Sequence, residues 1–468
     1  MSAHLDRRRF FALGAAGVAA VVPRVSMGQK QVVQQAPRRP RPSRPQLQWQ
    51  RDELAMFLHF GVNTFTDREW GDGTESPSIF DPRALDARQW ARTARAAGFK
   101  AMILTAKHHD GFCLWPTATT AHSVKSSPFR GGNGDVVREF VDACRAEGLR
   151  AGLYLSPWDR NSPVYGDSAR YNDLYIAQLS ELLTRYGEIH EVWFDGANGE
   201  GPNGKRQTYD WSRIWNTVKE LQPDSVIFSD AGPDVRWIGN ERGVAGETNW
   251  SIVDPRIVPV PGMSGDEVMR SLTQGDRDGI VWRPGETDVS IRPGWFHHPA
   301  QDAQAKSVNE LVEIYFTSVG RNSKLLLNVP PTREGLIHDT DVARLLEMRA
   351  RLDAVFGDDL AAVAESRWTA TSATTATGAL DFPREVMAGL LDLREDIWQG
   401  QRVARYAVEG LVRGTWQPIT RGTTIGYRRL ARFTPVPLRA LRITIEDAIE
   451  VPLSLAVGLY RAGTTGGD

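Results

Sequence analysis

The chain has 468 residues, 41% of them hydrophobic, and a formal net charge of −1 at pH 7. Its length predicts two domains. Residues 1–46 carry nine basic side chains and one acid, a charge of +8, so the rest of the chain carries −9. That acidic balance excludes an electrostatic footprint for nucleic acid. The hydropathy excludes a membrane span in the mature body, because no 18-residue apolar stretch occurs beyond the N-terminus.

The N-terminal residues have the pattern of an export signal. Residues 1–28 join a basic segment to a short apolar run, and Arg7 and Arg8 precede Phe10 and Phe11, which resembles a bacterial twin-arginine signal. A general secretory signal and an uncleaved anchor are the alternatives. Residues 29–46, rich in Pro and Arg, predict a disordered linker. The expected location is periplasmic or secreted.

Residues 47–357 alternate short apolar runs with helical patterns. This rhythm predicts an α/β domain, a (β/α) TIM-like barrel. A doubly wound sheet is the alternative, but no Gly-rich phosphate loop follows the first run. The predicted strands are Leu54–Phe60, Ala101–Thr105, Ala151–Ser156, Glu191–Phe194, Ser225–Ser229 and Leu325–Val329, and the predicted helices are Ala87–Ala97, Val136–Glu147, Asn172–Tyr186, Trp211–Leu221 and Val308–Val319.

Residues 358–468 have a different pattern, in which short alternating runs are separated by turn residues. Such a pattern predicts an antiparallel β-sandwich. The expected strands are Val403–Val408, Thr424–Leu430, Ala440–Ile445 and Leu453–Tyr460. The two cysteines, Cys113 and Cys144, are expected to be buried free thiols, and a single disulfide between them is the alternative.

Polar and aromatic side chains follow the first four predicted strands. The first strand ends near His59, and His108 and His109 follow the second. The third contains Tyr154 near its end, and the fourth contains Trp193 and is followed by Asp195. Because the carboxyl ends of barrel strands share one rim, these residues are expected to form one site. Aromatic rings can lie against the apolar faces of sugars, while imidazoles and carboxylates bind hydroxyls, so the pattern favours a carbohydrate pocket.

Cleavage of a glycosidic bond needs two carboxyl groups. Asp195 is the first, and Glu241, Glu247 and Glu286 are candidates for the second, although an ion pair with Arg292 is the preferred interpretation of Glu286. A metal site at His108, His109 and Asp110 is disfavoured, since adjacent strand residues point to opposite faces. No metal and no cofactor are predicted.

Several strings resemble the α-L-fucosidases of glycoside hydrolase family 29. They are HFG (59–61), EW (69–70), AKHHDGF (106–112) and VWFDG (192–196). Three later strings resemble the branch of that family that prefers α-1,3/1,4-linked fucose: RWIGNE (236–241), IRPGWF (291–296) and LLLNVPP (325–331). The match runs in order through residues 50–355, and the Pro/Arg-rich linker has no counterpart in it.

The resemblance implies a retaining exo-α-L-fucosidase that acts on terminal fucose of oligosaccharides or glycoconjugates through a covalent glycosyl-enzyme. The nucleophile falls on Asp195 and the acid/base on Glu241. A catalytically inactive carbohydrate-binding protein and a metal-dependent barrel hydrolase stay open as alternatives. The expected substrate-binding residues are His59, Glu69, Trp70, His108, His109, Tyr154, Trp193 and Trp295.

Overall fold

The computed structural model describes residues 39–452 and 455–461. Eight parallel strands close into a barrel in the order β1-β10-β9-β6-β5-β4-β3-β2, which confirms the predicted barrel. A two-stranded antiparallel sheet of β7 and β8 is inserted between β6 and β9. The strands are β1 (Leu54–Leu58), β2 (Ala101–Lys107), β3 (Arg150–Leu155), β4 (Glu191–Trp193), β5 (Val226–Ser229), β6 (Val235–Trp237), β7 (Ile252–Val253), β8 (Val281–Trp282), β9 (Gly285–Ser290) and β10 (Ser323–Asn328).

Helices pack around the barrel, and their apolar faces and the outward faces of the strands bury a continuous hydrophobic layer. The predicted helices are present within a few residues of their expected ends. The helices are α1 (Arg44–Arg51), α2 (Val62–Thr66), α3 (Ala87–Ala96), α4 (Val136–Ala146), α5 (Ser168–Arg185), α6 (Trp211–Leu221), α7 (Asp266–Gln274), α8 (Val308–Thr317) and α9 (Asp339–Phe356).

Two barrel strands, β6 and β9, were not predicted from the sequence. β6 has only three residues, and β9 (GETDVS) carries two carboxylates where an apolar run was expected. Both carboxylates of β9 are buried and take hydrogen bonds from indole N–H groups, Glu286 from Trp193 and Asp288 from Trp237. Partners on other strands therefore make acidic residues tolerable in this strand.

The predicted linker is wrong at its C-terminal end, because an ordered helix begins inside it. Ser43 caps α1 in a capping box with Gln46, each side chain accepting a hydrogen bond from the other's backbone N–H. The Gln46 amide also donates to the carbonyls of Asp234 and Trp282, at 2.7 and 3.0 Å. Trp49 is fully buried and joins the side chains inside the barrel. The predicted signal peptide and residues 29–38 of the linker lie outside the described residues.

The C-terminal part is an antiparallel β domain around its own core, as the predicted fold class requires. Two 20-residue strands form its centre, and the register of their pairing shifts at two places. Its strands are β11 (Glu365–Ala370), β12 (Ala376–Glu395), β13 (Val403–Val412), β14 (Thr415–Gly422), β15 (Arg429–Ala448) and β16 (Leu455–Tyr460).

The predicted strand Thr424–Leu430 is wrong, since only its last two residues belong to β15. The segment instead docks on the barrel: the Thr424 hydroxyl accepts from the Asn249 N–H, and the Tyr427 N–H donates to the Asn322 side chain. Of the predicted strand Leu453–Tyr460, residues 455–460 form β16, while residues 453–454 lie outside the described part. Among the described residues, no helix has both the length and the hydropathy required to traverse a bilayer.

Candidate active site

Asp195 lies two residues beyond the end of β4, at the carboxyl end of the barrel. Its carboxylate accepts the Ala197 N–H at 2.7 Å on Oδ1 and the Tyr154 hydroxyl at 3.1 Å on Oδ2. His109 Nε2 lies 3.7 Å from the same Oδ2. About a quarter of the side chain (26%) is exposed, so the carboxylate is held in a fixed orientation and still reaches the solvent-filled mouth of the site.

Three buried imidazoles line the site beside Asp195. His59 Nδ1 lies 2.8 Å from the side-chain oxygen of Asn328, and His109 Nδ1 lies 2.7 Å from the Ser156 hydroxyl. The Nδ1 atom of His108 is buried without a hydrogen-bond partner. Burial lowers the pKa of His59 to about 3 and that of His108 well below its usual value. Both rings are therefore neutral at ordinary pH and can exchange hydrogen bonds with hydroxyl groups.

The expectation that His108 and His109 point to opposite faces is wrong. Their ring centroids are 4.1 Å apart, because β2 ends at Lys107 and the strand alternation ends with it. It is Lys107 that points away, to a buried ion pair with Asp159 at 3.1 Å. Within the described residues, no group of three His, Cys, Asp or Glu side chains has an arrangement that could hold a metal ion. Cys113 and Cys144 are buried free thiols, as expected.

Glu69 fastens the loop after β9 to the rim. It accepts the backbone N–H groups of Trp295 and Phe296, at 2.8 and 3.2 Å, and lies 2.6 Å from His298 Nε2. Burial opposes protonation of His298, but the hydrogen bonds to Asp67 and Glu69 outweigh it and raise the pKa. This loop places the Trp295 ring 5.1 Å from His59, between centroids.

Trp70 is the most exposed of the predicted aromatic residues, at 55%. Its ring meets His109 and Trp158 edge to face, with centroids 5.8 and 5.7 Å apart. Trp158 was not among the predicted binding residues, although its position after β3 could have indicated it. The two indoles and His109 give the mouth of the site an aromatic wall.

Trp193 packs between side chains of the two neighbouring barrel strands. Only 6% of the residue is exposed. One ring face stacks on Phe228 at 4.1 Å and the other on Tyr154 at 5.2 Å, and its N–H donates to Glu286. Trp193 therefore stacks beside Tyr154, and its contact with substrate stays a prediction.

The predicted ion pair of Glu286 with Arg292 is wrong: Arg292 binds Asp302 and Asp341 instead.

Glu241 and Glu247 lie in different surroundings. Burial and the charges of Asp195 and Glu69 raise the pKa of Glu241, and a hydrogen bond with the Trp295 side chain opposes them only in part. Glu247 pairs with Arg321 at 2.5 Å and with Arg429, which lower its pKa against the effect of burial. The charge of Asp195 thus acts on Glu241, whereas Glu247 belongs to the contact between barrel and β domain.

Two further carboxyl groups of the site were missed. Asp230 directly follows β5. Burial and the charge of Asp195 raise its pKa to about 6, and the hydrogen bond from the Gly262 N–H opposes them only in part. Asp288 lies in β9, and burial and the charge of Glu241 raise its pKa well above the usual range. The strand-end rule could have found Asp230. It could not have found Asp288, because β9 itself was not predicted.

A carboxyl group of raised pKa near a hydrogen-bonded carboxylate, among indoles and neutral imidazoles on a barrel rim, is the arrangement of a glycoside hydrolase. The family model described as alpha-L-fucosidase matches residues 64–354. Alpha-L-fucosidase 1 of Arabidopsis thaliana is 44% identical over 450 residues, covering 90% of this chain and 87% of its own. The chain therefore belongs to the α-L-fucosidases of glycoside hydrolase family 29.

Solved structures agree with this assignment. A glycoside hydrolase 29 family member from an unknown rumen bacterium superposes with a TM-score of 0.85 at 41% identity, covering 92% of this chain and 79% of the other. A Ruminococcus gnavus family 29 fucosidase in complex with fucose gives a TM-score of 0.81 at 32% identity, covering 91% and 96%.

Proposed function

We propose that this hydrolase is a retaining exo-α-L-fucosidase that releases terminal α-1,3- or α-1,4-linked L-fucose from glycans. One observation carries the proposal: Asp195 follows β4 and Glu241 follows β6, and the two carboxyl groups have different surroundings. Both oxygens of Asp195 accept hydrogen bonds, from Tyr154 and from the Ala197 N–H, while burial and the charges of Asp195 and Glu69 raise the pKa of Glu241. A carboxyl group fixed by hydrogen bonds and a second one of raised pKa can divide the roles of nucleophile and acid.

In the first step, the Asp195 carboxylate attacks the anomeric carbon of fucose and the bond to the glycosidic oxygen breaks. Glu241 gives its proton to that oxygen, and the shortened glycan leaves. In the second step, the Glu241 carboxylate takes a proton from water, whose oxygen bonds to the anomeric carbon while the bond to Asp195 breaks. The fucose released keeps its α configuration, and both carboxyl groups return to their first state.

The surroundings of these carboxyl groups support fucose as the sugar. Neutral His59 and His108 can each act as donor or acceptor toward ring hydroxyls, because burial keeps them unprotonated. Indoles at the mouth offer flat surfaces for the apolar C–H groups of the sugar. The relative from Ruminococcus gnavus was solved in complex with fucose, which supports the same ligand for this chain.

The linkage preference rests on the three strings that resemble the α-1,3/1,4 branch, the first of which ends in Glu241. The enzyme should therefore release fucose from α-1,3- and α-1,4-fucosyl trisaccharides and act poorly on an α-1,2-linked isomer. Rates of fucose release measured side by side on the purified enzyme test this expectation. Equal or faster release from the α-1,2-linked sugar would contradict it.

The two roles can be separated by rescue with azide. Glu241→Ala should retain the first step on a nitrophenyl fucoside, whose leaving group needs no proton. Azide should then attack the covalent intermediate and give α-fucosyl azide. In Asp195→Gly, azide takes the place of the missing nucleophile and attacks the substrate itself, giving β-fucosyl azide. The configuration of each product, determined by NMR, distinguishes the two reactions.

Glu247→Ala is the matched control, because Glu247 is a glutamate of a nearby loop engaged with arginines of the domain contact. It should cleave natural glycans at close to the unsubstituted rate and form no azide product. If Glu247→Ala gave α-fucosyl azide and Glu241→Ala did not, the acid/base would be Glu247. An Asp195→Gly enzyme of normal activity would overturn the nucleophile.

A further inference from the structure

The segment 255–265, here called the proline loop, follows β7 and precedes α7. It contains three prolines, Pro255, Pro259 and Pro261, each of which fixes a backbone φ angle. Two of its side chains anchor it: Val258 is buried in a small hydrophobic cluster under the loop, and Ile257 packs against that cluster. The prolines and the two packed side chains therefore restrict the conformations available to the loop.

The tip of the proline loop lies against the segment that carries the nucleophile. The Gly262 N–H donates to Asp230 Oδ2 at 3.0 Å. A β-carbon added to Gly262 would lie 2.7 Å from the carbonyl oxygen of Gly196, and one added to Gly196 would lie 2.2 Å from Asp230 Oδ2. Glycine is thus required on both sides of this contact, which brings the loop next to Asp195.

Two apolar side chains on either side of Gly262 face solvent. Val260 is 43% exposed and Met263 is 37% exposed. Exposed apolar residues are common when scattered. These two differ because they flank Gly262, whose N–H binds Asp230, while Val258 of the same loop is buried and Ile257 packs against its cluster.

The location of the loop indicates which part of a substrate it meets. The imidazoles and Tyr154 come from the β1–β3 side of the barrel, whereas Asp230 and Glu241 follow β5 and β6. Since the acid protonates the leaving oxygen, the leaving group departs on the side of Glu241. The proline loop contacts Asp230 and Gly196 on this same side.

We infer that the proline loop, through Val260 and Met263, forms an apolar wall that binds the sugar residue from which fucose is cleaved. This inference rests on the proposed function and adds the surface that recognises the leaving group. A pyranose ring offers an apolar C–H face, and burying part of it against these side chains favours the bound glycan. Binding of the fucose ring itself does not depend on Val260 or Met263.

The experiment compares two substrates of the full-length enzyme. α-L-Fucosyl fluoride has a leaving group of one atom that cannot touch the wall, whereas a fucosyl trisaccharide can. In the double variant Val260→Ser/Met263→Ser, kcat/KM for the trisaccharide should fall by about three- to tenfold, mostly through KM. The value for the fluoride should not change. Inhibition by the defucosylated disaccharide should weaken by a similar factor.

Val363→Ser is the control, because Val363 is also an exposed apolar residue, 66% exposed, on the segment after α9. It should leave both substrates unaffected. Equal loss on fluoride and trisaccharide, or no loss on either, would overturn the inference while leaving the fucosidase activity in place. If the unsubstituted enzyme failed to hydrolyse fucosyl fluoride, the proposed function itself would be wrong.

Discussion

Glu286 illustrates how a single buried residue can support the site without facing substrate. Its Oε1 accepts the Trp193 N–H at 3.0 Å, and its Oε2 lies 3.6 Å from Lys324 Nζ. Lys324 in turn lies 2.9 Å from Glu191, and the three charged side chains are fully buried. Burial and the charge of Glu191 raise the pKa of Glu286 against the effect of Lys324. Lys324 and Glu191 can thus form an ion pair, while the main contact of Glu286 is the hydrogen bond that it accepts from Trp193.

Replacing Glu286 tests this division of roles. Glu286→Leu would leave the Trp193 N–H buried without an acceptor, which should lower the free energy of unfolding by about 1–3 kcal/mol. Glu286→Gln keeps an oxygen for that N–H and should lose clearly less. Urea unfolding, followed by tryptophan fluorescence, measures the difference. Equal stability of the two variants would show that the hydrogen bond to Trp193 is not what stabilises this region.

At the scale of elements, the helix α1 shows that composition can mislead. Frequent Pro and Arg predicted disorder up to residue 46, yet Pro45 lies in the first turn of a helix, where its missing N–H costs nothing. The Ser43–Gln46 capping box was the local signal for that start. The helix is also stabilised by Trp49, whose N–H donates to Glu191 at 2.9 Å inside the barrel, and no local pattern predicts that contact.

The strands of the barrel show the complementary case. β1, β2 and β10 are apolar runs with clear ends, so their positions could be predicted within a few residues. β9 has no such run, because its buried acids are satisfied by indoles from β4 and β6. Periodicity reports the average environment of a segment, so it misses a strand whose burial depends on specific partners elsewhere in the chain.

At the scale of the whole molecule, a buried arginine joins the barrel to the β domain. Arg428 Nη1 lies 2.9 Å from Glu53, at the start of the barrel, and its Nη2 lies 2.8 Å from Asp392 of β12. The Tyr315 hydroxyl, from α8, donates to the same Glu53 at 2.7 Å. Burial opposes the charge of Arg428, but these neighbours outweigh it and raise its pKa.

Removing this arginine should weaken the whole protein. Two arginines, Arg428 and Arg394, pair with both Glu53 and Asp392, and Arg428 is the more deeply buried. Arg428→Met would remove the closer of these partners, so we expect a loss of about 3 kcal/mol in the free energy of unfolding. Arg432→Met is the matched control: Arg432 pairs with Glu313 across the same contact, but both side chains are exposed, and the loss should stay within about 1 kcal/mol. Thermal and urea unfolding measure both. Similar losses for the two variants would contradict the role assigned to Arg428.

The barrel, the C-terminal β domain and the family could all be inferred from the amino-acid sequence. These follow from local patterns: apolar strands alternating with capped helices, and polar strings such as AKHHDGF at strand ends. The same patterns indicated Asp195, because a residue directly after a barrel strand must lie at the rim. Such inferences need only the neighbours of a residue along the chain.

Which of the candidate residues share the site depends on tertiary contacts. Glu241 and Glu247 are six residues apart and indistinguishable by local pattern, yet burial and the charge of Asp195 raise the pKa of one, while two arginines pair with the other. Trp193 and Trp70 are both aromatic residues expected at the rim, yet one is covered on both faces and the other is exposed. The physical reason is that burial and pKa depend on contacts between residues far apart in the chain, and the folded backbone creates those contacts.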